Sequence, residues 1–180
     1  ELKYAVRRQE ETIYHRQLKM TSPALNRFRD LVLYNLEAGQ AVLTDNNDIR
    51  IYTDGKEKFH ALIEEMKRAK KYIHVQYYII RNDEVWQDIE KVLIEKAHEG
   101  VEVRVLFDSM GCRTMHKRDW DRLKCEGIRV AEFFPAILGQ LQMRVNYRNH
   151  RKIVVIDGKV GFVGGFNVGR EYIGKDEKFG

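Results

Sequence analysis

The run YIHVQYYII, at positions 72–80, constrains the fold of this chain more than any other stretch. It is rich in β-branched and aromatic residues and mostly apolar, which is typical of a strand in the middle of a sheet. Similar runs return at 101–107 (VEVRVLF) and 128–134 (IRVAEFF), and a shorter one lies at 49–52. These runs predict a sheet of several strands.

Helical periodicity fills the segments between these strands. Apolar residues spaced from Phe59 to Met66 predict a helix that runs to about residue 70. Asp83 is a candidate cap for a second helix, which Gly100 stops, and a third helix is predicted near 115–126. Alternating strands and helices imply right-handed crossovers, so the predicted fold class is α/β, with a mixed, mostly parallel sheet flanked by helices.

Residues 1–40 are predicted to be a helical lead-in to a main domain of 41–180. The first twenty are charged and aromatic and predict an exposed helix or arm, and Pro23 opens a second helix that Gly39 ends. Four basic residues of the arm could contact anionic lipid or could form a solvated helix face: Arg7, Arg8, Arg16 and Lys19. The sequence leaves both interpretations open.

The composition excludes some function classes. The net charge of +5 mildly favours anionic partners. The two cysteines have no CxxC or zinc-type spacing, which disfavours a metal site and fits a reducing compartment. No apolar run reaches the ~18 residues that a membrane span needs. The chain opens with Glu rather than Met, so we expect both ends to be cuts and a membrane anchor to lie outside the chain.

The segment NHRKIVVIDGKVGFVGGFN, at 149–167, departs from the strand and helix alternation. Strands at 152–156 and 159–163 around the turn Asp157–Gly158 predict an antiparallel hairpin. Side chains alternate along a strand, so His150 and Lys152 face the same way, about 7 Å apart. Asn167 follows the far end of the hairpin, which lies beside its beginning, and the polar groups are therefore predicted to converge.

This convergence would suit a tetrahedral phosphate. His150 offers an imidazole, Lys152 an ammonium and Asn167 an amide, while Gly164 and Gly165 would let a phosphate approach the backbone N–H groups. No carboxylate cluster accompanies them, which favours phosphate chemistry without a metal ion. His150 would act as nucleophile or general acid and base.

The pattern His150-x-Lys152, Asp157 and Gly164-Gly165-x-Asn167 resembles the HKD motif of the phospholipase D superfamily. The stretches YIHVQYYIIRND, VEVRVLFDSMG, VNYRNHRKIVVIDG and GFVGGFNVGREYIG resemble the first half of bacterial cardiolipin synthases, from about residue 41 onward. The resemblance implies an enzyme that joins two phosphatidylglycerol molecules into cardiolipin and releases glycerol. It also implies a phosphatidyl-histidine intermediate and no metal or other cofactor.

By this resemblance His150 forms the covalent bond or protonates the leaving alcohol, and Lys152 and Asn167 hold phosphate oxygens. Asp157 belongs to the motif's catalytic residues, although its place at a strand end is more typical of a structural anchor. Gly165 stands where many superfamily members carry Ser. Three acidic residues are candidates to orient the histidine: Glu171, Asp176 and Glu177.

Superfamily sites need two such motifs, and this chain has one. We therefore expect a second HKD half of the same protein, or a second copy of the chain, as partner, and no activity of the chain alone unless two copies pair. The other implied partners are phosphatidylglycerol and an anionic membrane surface, at the cytoplasmic side of a bacterial cell membrane.

A homodimeric phospholipase D-like nuclease or phosphodiesterase is the alternative, and a non-catalytic binding half is a third hypothesis. The chain has no basic and aromatic stripe, which disfavours nucleic acid.

Other polar residues carry weaker hypotheses. His74 lies within a strand and is predicted to be a core or sheet-face residue. Tyr77 and Tyr78 could shape a lipid or head-group pocket, but their favoured role is packing. Asp108–Ser109 ends a predicted strand, where the sites of α/β proteins gather, but these residues could equally cap a helix.

Overall fold

The structure, a computed structural model, describes residues 2–14, 23–44, 47–134 and 148–178. By its internal contacts the chain divides into two units, Glu1–Arg50 and Ile51–Gly180. In its described residues the first unit contains the helices α1 (Leu2–Tyr14), α2 (Pro23–Arg27) and α3 (Arg29–Gly39).

The helix predicted to begin at Pro23 is interrupted at Phe28, so that it forms α2 and α3. Val6 of α1 and Leu36 of α3 are buried together and make a small core for this unit. Of the basic arm, Arg7 and Arg8 occupy exposed positions of α1, and the other two residues, Arg16 and Lys19, lie outside the described part of the chain.

The second unit is built on a five-stranded sheet with strand order β3-β2-β1-β4-β5. The parallel strands β1, β2 and β3 form one half of the sheet, while β4 runs antiparallel to both β1 and β5. This arrangement confirms the predicted mixed α/β sheet. The elements in chain order are α4 (Gly55–Arg68), β1 (Tyr72–Tyr77), α5 (Glu84–His98), β2 (Glu102–Asp108), α6 (Lys117–Cys125), β3 (Arg129–Phe133), β4 (Ile153–Ile156), β5 (Val160–Val163) and a 3₁₀ turn (Arg170–Ile173).

Aspartates begin two of the helices. The Asp83 carboxylate accepts a hydrogen bond from Val85 N at 3.1 Å, which confirms the predicted cap of α5. The Asp54 carboxylate accepts from Glu57 N at 2.9 Å and caps α4. A side-chain oxygen at this position satisfies an N–H that has no partner within the helix.

The core lies between one face of the sheet and the helices α4, α5 and α6. Along β1 and β2, alternate residues are buried, and the Phe107 ring of β2 stacks on Trp120 of α6 with centroids 4.0 Å apart. Trp86 of α5 contacts the same Trp120 edge-on at 6.0 Å. The alternate residues of the opposite face, such as His74, are partly exposed, as expected for the period of two in a strand.

The predicted strand at 49–52 is wrong, because no strand forms there. Ile49 and Ile51 are 81% and 86% exposed, and this segment does not pair with the sheet. A short apolar run becomes a strand only where a neighbouring strand takes up its N–H and C=O groups. None of the helices in the described ranges is long and apolar enough to cross a membrane.

The hairpin of β4 and β5 confirms the prediction from the Asp157–Gly158 pair. Both residues have positive φ, 55° and 68°, and Lys159 N donates to Ile156 O at 3.0 Å. Two central residues with positive φ match the right-handed twist of the strands that they join. The turn therefore fixes the register of β4 against β5, and with it the position of the residues that precede β4.

Candidate active site

His150 and Lys152 lie at one edge of the sheet, where β1 and β2 end and β4 is about to begin. Lys152 Nζ is 2.9 Å from Nδ1 and 3.1 Å from Nε2 of His150, and it donates to the His150 carbonyl at 2.9 Å. Lys152 is only 6% exposed, whereas His150 is exposed. The two side chains thus meet, with the imidazole open to solvent and the ammonium behind it.

Tyr78 forms a wall beside this pair. Its ring centroid is 4.6 Å from that of His150, and Lys152 Nζ lies 5.3 Å from the same ring. The sequence analysis favoured simple packing over a pocket role for Tyr78. Its position directly after the last paired residue of a parallel strand, where α/β sites gather, was the available signal.

The charge of the Lys152 ammonium is destabilised because protein, rather than water, surrounds most of it. Burial lowers the pKa of Lys152 from its ordinary value of 10.5. Desolvation disfavours the charged form of a lysine, and a nearby anion restores it. A phosphate group bound here would therefore be held by a cation that gains stability from the contact.

Asn167 is buried beside the end of β1. Its Oδ1 accepts from Ile79 N at 3.2 Å, and its Nδ2 donates to Tyr172 Oη at 2.7 Å. Ile79 follows Tyr78 directly, so the same two residues carry the wall of His150 and the anchor of Asn167. One of the two Nδ2 hydrogens is directed to Tyr172, a partner that the sequence did not indicate.

The two glycines of the motif lie on an exposed stretch between β5 and Asn167. Gly164 N donates to Lys152 O at 3.3 Å, so this N–H continues the hairpin pairing. A Cβ added to Gly164 or Gly165 would meet no atom of the described residues within 4 Å. Packing within the protein therefore does not require glycine at either position.

Asp157 lies at the opposite end of the hairpin, and the structure does not bring it to His150. Its carboxylate accepts from the backbone N–H groups of Lys70, Lys71 and Tyr72 at 2.8 to 2.9 Å. Asp157 follows His150 by seven positions of mostly extended chain, a distance of about 20 Å. These contacts make Asp157 an anchor of the hairpin turn on the start of β1, rather than a group that could touch the atoms around His150.

The three acidic candidates for orienting the histidine have other surroundings. Glu171 pairs with Arg81 Nε at 2.5 Å, and Asp176 lies 3.6 Å from Arg170 Nε. Glu177 is exposed. These pairs do not place Glu171 or Asp176 against His150. Nor do the described residues contain a group of three or more His, Cys, Asp and Glu side chains placed to hold a metal ion.

The chain is similar to a known protein family over most of its second unit. The profile of the family described as "Cardiolipin synthase, PLD-like domain" matches residues 62–177. This match contains every residue of the cluster described above.

Individual relatives carry the same description. The chain is 45% identical over 179 residues to the cardiolipin synthase of Oceanobacillus iheyensis, covering 99% of this chain and 37% of that protein. It is 49% identical over 154 residues to a cardiolipin synthase of Staphylococcus aureus, covering 86% of this chain and 31% of that protein. The chain thus spans about a third of the length of the curated relatives that it matches.

Among solved structures, the fold is similar to that of NucT from Helicobacter pylori. The TM-score is 0.50 with 16% sequence identity, over 68% of this chain and 74% of that one. At this level of identity the likeness is one of fold.

Proposed function

Because this chain belongs to the cardiolipin synthase family of phospholipase D-like domains, we propose that it supplies one His-Lys half of a phosphatidyltransferase site. The observation that carries the proposal is the contact of Lys152 Nζ with the His150 ring at 2.9 Å, on an edge of the sheet where Asn167 is anchored as well. A nucleophilic imidazole with a cation beside it suits transfer of an anionic phosphodiester.

In the first step a ring nitrogen of His150 attacks the phosphorus of one phosphatidylglycerol. An N–P bond forms, the P–O bond to the glycerol head group breaks, and the phosphatidyl group remains on His150. The departing oxygen takes a proton from a second histidine, which belongs to another half of the same protein or to a second copy of this chain. Lys152 neutralises charge on the non-bridging oxygens, and the second Nδ2 hydrogen of Asn167 donates to one of them.

In the second step a hydroxyl group of another phosphatidylglycerol attacks the same phosphorus and gives its proton to the second histidine. The new P–O bond forms as the N–P bond breaks, which returns His150 and yields cardiolipin. Gly164 and Gly165 leave room beside the phosphorus for the incoming lipid, since no side chain projects from them. The reaction exchanges one alcohol for another and consumes no cofactor.

We place this reaction at the cytoplasmic face of a bacterial cell membrane, where a phosphatidylglycerol head group would reach His150. The net charge of +5 favours approach to an anionic lipid surface. Asp157 contributes only through the hairpin that it anchors.

The proposal is tested by trapping the intermediate in the protein as its gene encodes it. The protein is mixed with phosphatidylglycerol radiolabelled at its phosphorus and is quenched within one turnover. We expect a protein-bound label that is stable to base and lost in acid, as a phosphoramidate is. The His150→Asn variant should carry no label, because it has no ring nitrogen to attack phosphorus.

The matched control is His98→Asn, which replaces an exposed histidine that pairs with Glu126 on the protein surface. This control should keep full labelling. Label that persists in His150→Asn at the level of the control would show that another residue forms the bond.

A further inference from the structure

The fully buried carboxylate of Asp108 joins the end of β2 to the residue that precedes His150. Asp108 has no exposed surface. Its Oδ2 accepts from Asn149 N at 3.1 Å, and its Oδ1 accepts from Met110 N at 2.9 Å and Gly111 N at 3.2 Å. One side chain therefore binds the chain at His150 to a turn that lies about forty residues earlier in the sequence.

Asn149 is held from a second direction as well. Gln76 of β1 donates its Nε2 to Asn149 Oδ1 at 2.7 Å. The backbone at Asn149 is thus bonded to β2 and its side chain is bonded to β1. Because His150 is the next residue, its main chain starts from a point that both strands define.

The turn after Asp108 also holds the wall residue Tyr78. We call residues 108–112 the 108–112 turn. Gly111 packs so closely on the Tyr78 carbonyl that an added Cβ would lie 1.9 Å from that oxygen. Cys112 Sγ accepts from Ile80 N at 3.2 Å and lies 3.5 Å from Tyr78 O.

The thiol of Cys112 can act as donor in this contact. Burial raises the pKa of Cys112 to about 12, so the sulfur keeps its proton at neutral pH. The 108–112 turn therefore contacts the residues on both sides of Ile79, just after β1. The Ile79 N–H is the group that donates to Asn167. The 108–112 turn therefore contacts Asn149, which precedes His150, and Tyr78, whose ring lies beside His150. Through Tyr78 and Ile80 it also contacts both neighbours of Ile79.

We propose that Asp108 is a positioning residue for His150, and that the 108–112 turn sets the imidazole against Tyr78 and at a fixed distance from Asn167. The inference rests on the role proposed for His150, and it adds residues outside the HKD motif to the machinery of the site. Asp108 itself touches no substrate. It acts through the Asn149 N–H.

The physical reason is the sensitivity of nucleophilic attack to geometry. Residue 150 lies outside the strands of the described part of the chain, so its position depends on the contacts of Asn149. A misplacement of 1 Å in a reacting group can cost about 100-fold in rate. A buried carboxylate with three N–H donors is a rigid link because each oxygen would lose a bond if it moved.

The variant Asp108→Asn separates this role from general stability. The side chain keeps its size, but an amide presents an oxygen on one side only, so either the turn or Asn149 N faces an N–H₂ group. The matched control is Glu90→Gln in α5. The Glu90 carboxylate is also buried, at 6% exposure, and both of its oxygens accept from Arg122 Nη2 at 2.7 Å, but neither residue belongs to the proposed site.

The first readout is nuclear magnetic resonance of the native state, which does not depend on turnover. In the unchanged protein we expect contacts between the ring protons of Tyr78 and His150, whose centroids are 4.6 Å apart. Asp108→Asn should lose these contacts and shift the imidazole nitrogen resonances of His150, and Glu90→Gln should keep both. Equal spectra of His150 in the two variants would overturn the inference.

The second readout is the labelling rate with phosphatidylglycerol, measured well below the melting temperature of each variant. Asp108→Asn should label about 100-fold more slowly with an unchanged dependence on lipid concentration, and Glu90→Gln should stay within about twofold. If the unchanged protein forms no label, the proposed function fails, and the spectra still decide the positioning role.

A second variant covers the case in which Asp108→Asn does not fold. Gly111→Ala places a methyl group against the Tyr78 carbonyl and should move Tyr78 away from His150. Its control is Gly161→Ala in β5, where an added Cβ meets no atom of the described residues within 4 Å. A Gly111→Ala protein with unchanged Tyr78–His150 contacts would also contradict the inference.

Discussion

At the scale of single residues, the proposed site depends on Lys152, a lysine that is buried beside His150. Lys152 is 6% exposed, and its ammonium contacts the ring and the carbonyl of His150. No carboxylate of the described residues pairs with it. A charged group held in this way is costly until an anion arrives, which favours binding of a phosphodiester at this position.

We predict that Lys152→Gln lowers the rate of labelling by phosphatidylglycerol about 100-fold or more. Loss of one donor to a developing anionic centre typically costs this much. The rate is measured by the trapping experiment, with Lys159→Gln as control, since Lys159 is an exposed lysine of the same hairpin. If Lys152→Gln is labelled at the same rate as this control, Lys152 has no role in the reaction.

A second buried lysine has no place in the proposed reaction. Lys58 of α4 is 9% exposed, and its Nζ is 2.7 Å from Tyr77 Oη. Burial lowers the pKa of Lys58 to about 7 from 10.5. The folded protein therefore releases this proton at a lower pH than the unfolded chain does, and the free energy of unfolding should rise between about pH 7 and pH 10.5 for this reason.

We predict that the double variant Lys58→Met, Tyr77→Phe is more stable than the parent below pH 7, by an amount on the order of a few kcal/mol, because each pKa unit is worth about 1.4 kcal/mol. The gain should shrink as the pH rises toward 10. Urea denaturation across this range measures it, and Lys56→Met, at an exposed position, should show no such trend. A gain that is constant with pH would mean that the lysine is not desolvated.

At the scale of elements, the hairpin of β4 and β5 is fixed at both of its ends. At one end Asp157 accepts three backbone N–H groups from the start of β1, and at the other Gly164 N pairs with Lys152 O. The Asp157 anchor thus fixes the register of β4 against β1, and with it the position of the residues that precede β4. Asp157 itself lies about 20 Å from His150.

We predict that Asp157→Asn lowers stability at neutral pH and that the difference from the parent disappears in acid. The backbone N–H groups hold the pKa of Asp157 below its ordinary value of 3.8, so its stabilising effect is complete above that value. The effect is lost as the pH falls through the lowered pKa, where the folded carboxylate takes up a proton. Denaturation at pH 7 and at pH 3 measures this. An equal loss at both values would contradict the anchoring role.

The sequence predicted the elements whose causes are local. The hairpin followed from Asp157–Gly158, because two residues that accept positive φ define the turn. The meeting of His150 and Lys152 followed from the period of two. The end of β1 was placed too late, at residue 80 instead of Tyr77, because the close approach of Gly111 to Tyr78 O comes from a segment thirty residues away.

Other features had no local signal. The segment at 49–52 has a strand-like composition, but whether it pairs is decided by the edges that the sheet leaves available. Asp108 is an ordinary strand-end aspartate in the sequence, and its contact with Asn149 spans the whole of α6 and β3. The engagement of Gly164 N and of Asn167 by protein partners could likewise be known only from the folded chain.

At the scale of the whole molecule, the polar groups proposed for the reaction gather at one edge of one sheet. The chain has a single H-x-K motif. A single histidine cannot both attack the phosphorus and protonate the leaving alcohol in the same step. The proposed reaction therefore needs a second half, and the curated relatives are about three times as long as the matched chain.

We predict that the chain of 180 residues alone makes no cardiolipin from phosphatidylglycerol at concentrations where it is monomeric. If two copies pair, the rate should rise with the square of the protein concentration. The product is measured by mass spectrometry of extracted lipid over a range of concentrations. A rate proportional to the first power of concentration, from a monomer, would contradict the need for a second half.

The central claim is that an imidazole, an ammonium and an amide surround one anion at this edge of the sheet. A crystal structure of the protein with vanadate tests it most directly. We predict vanadium bonded to a ring nitrogen of His150, with its oxygens within hydrogen-bonding distance of Lys152 Nζ and Asn167 Nδ2. Vanadate bound elsewhere, or bound at His150 with Lys152 and Asn167 turned away from it, would contradict the account.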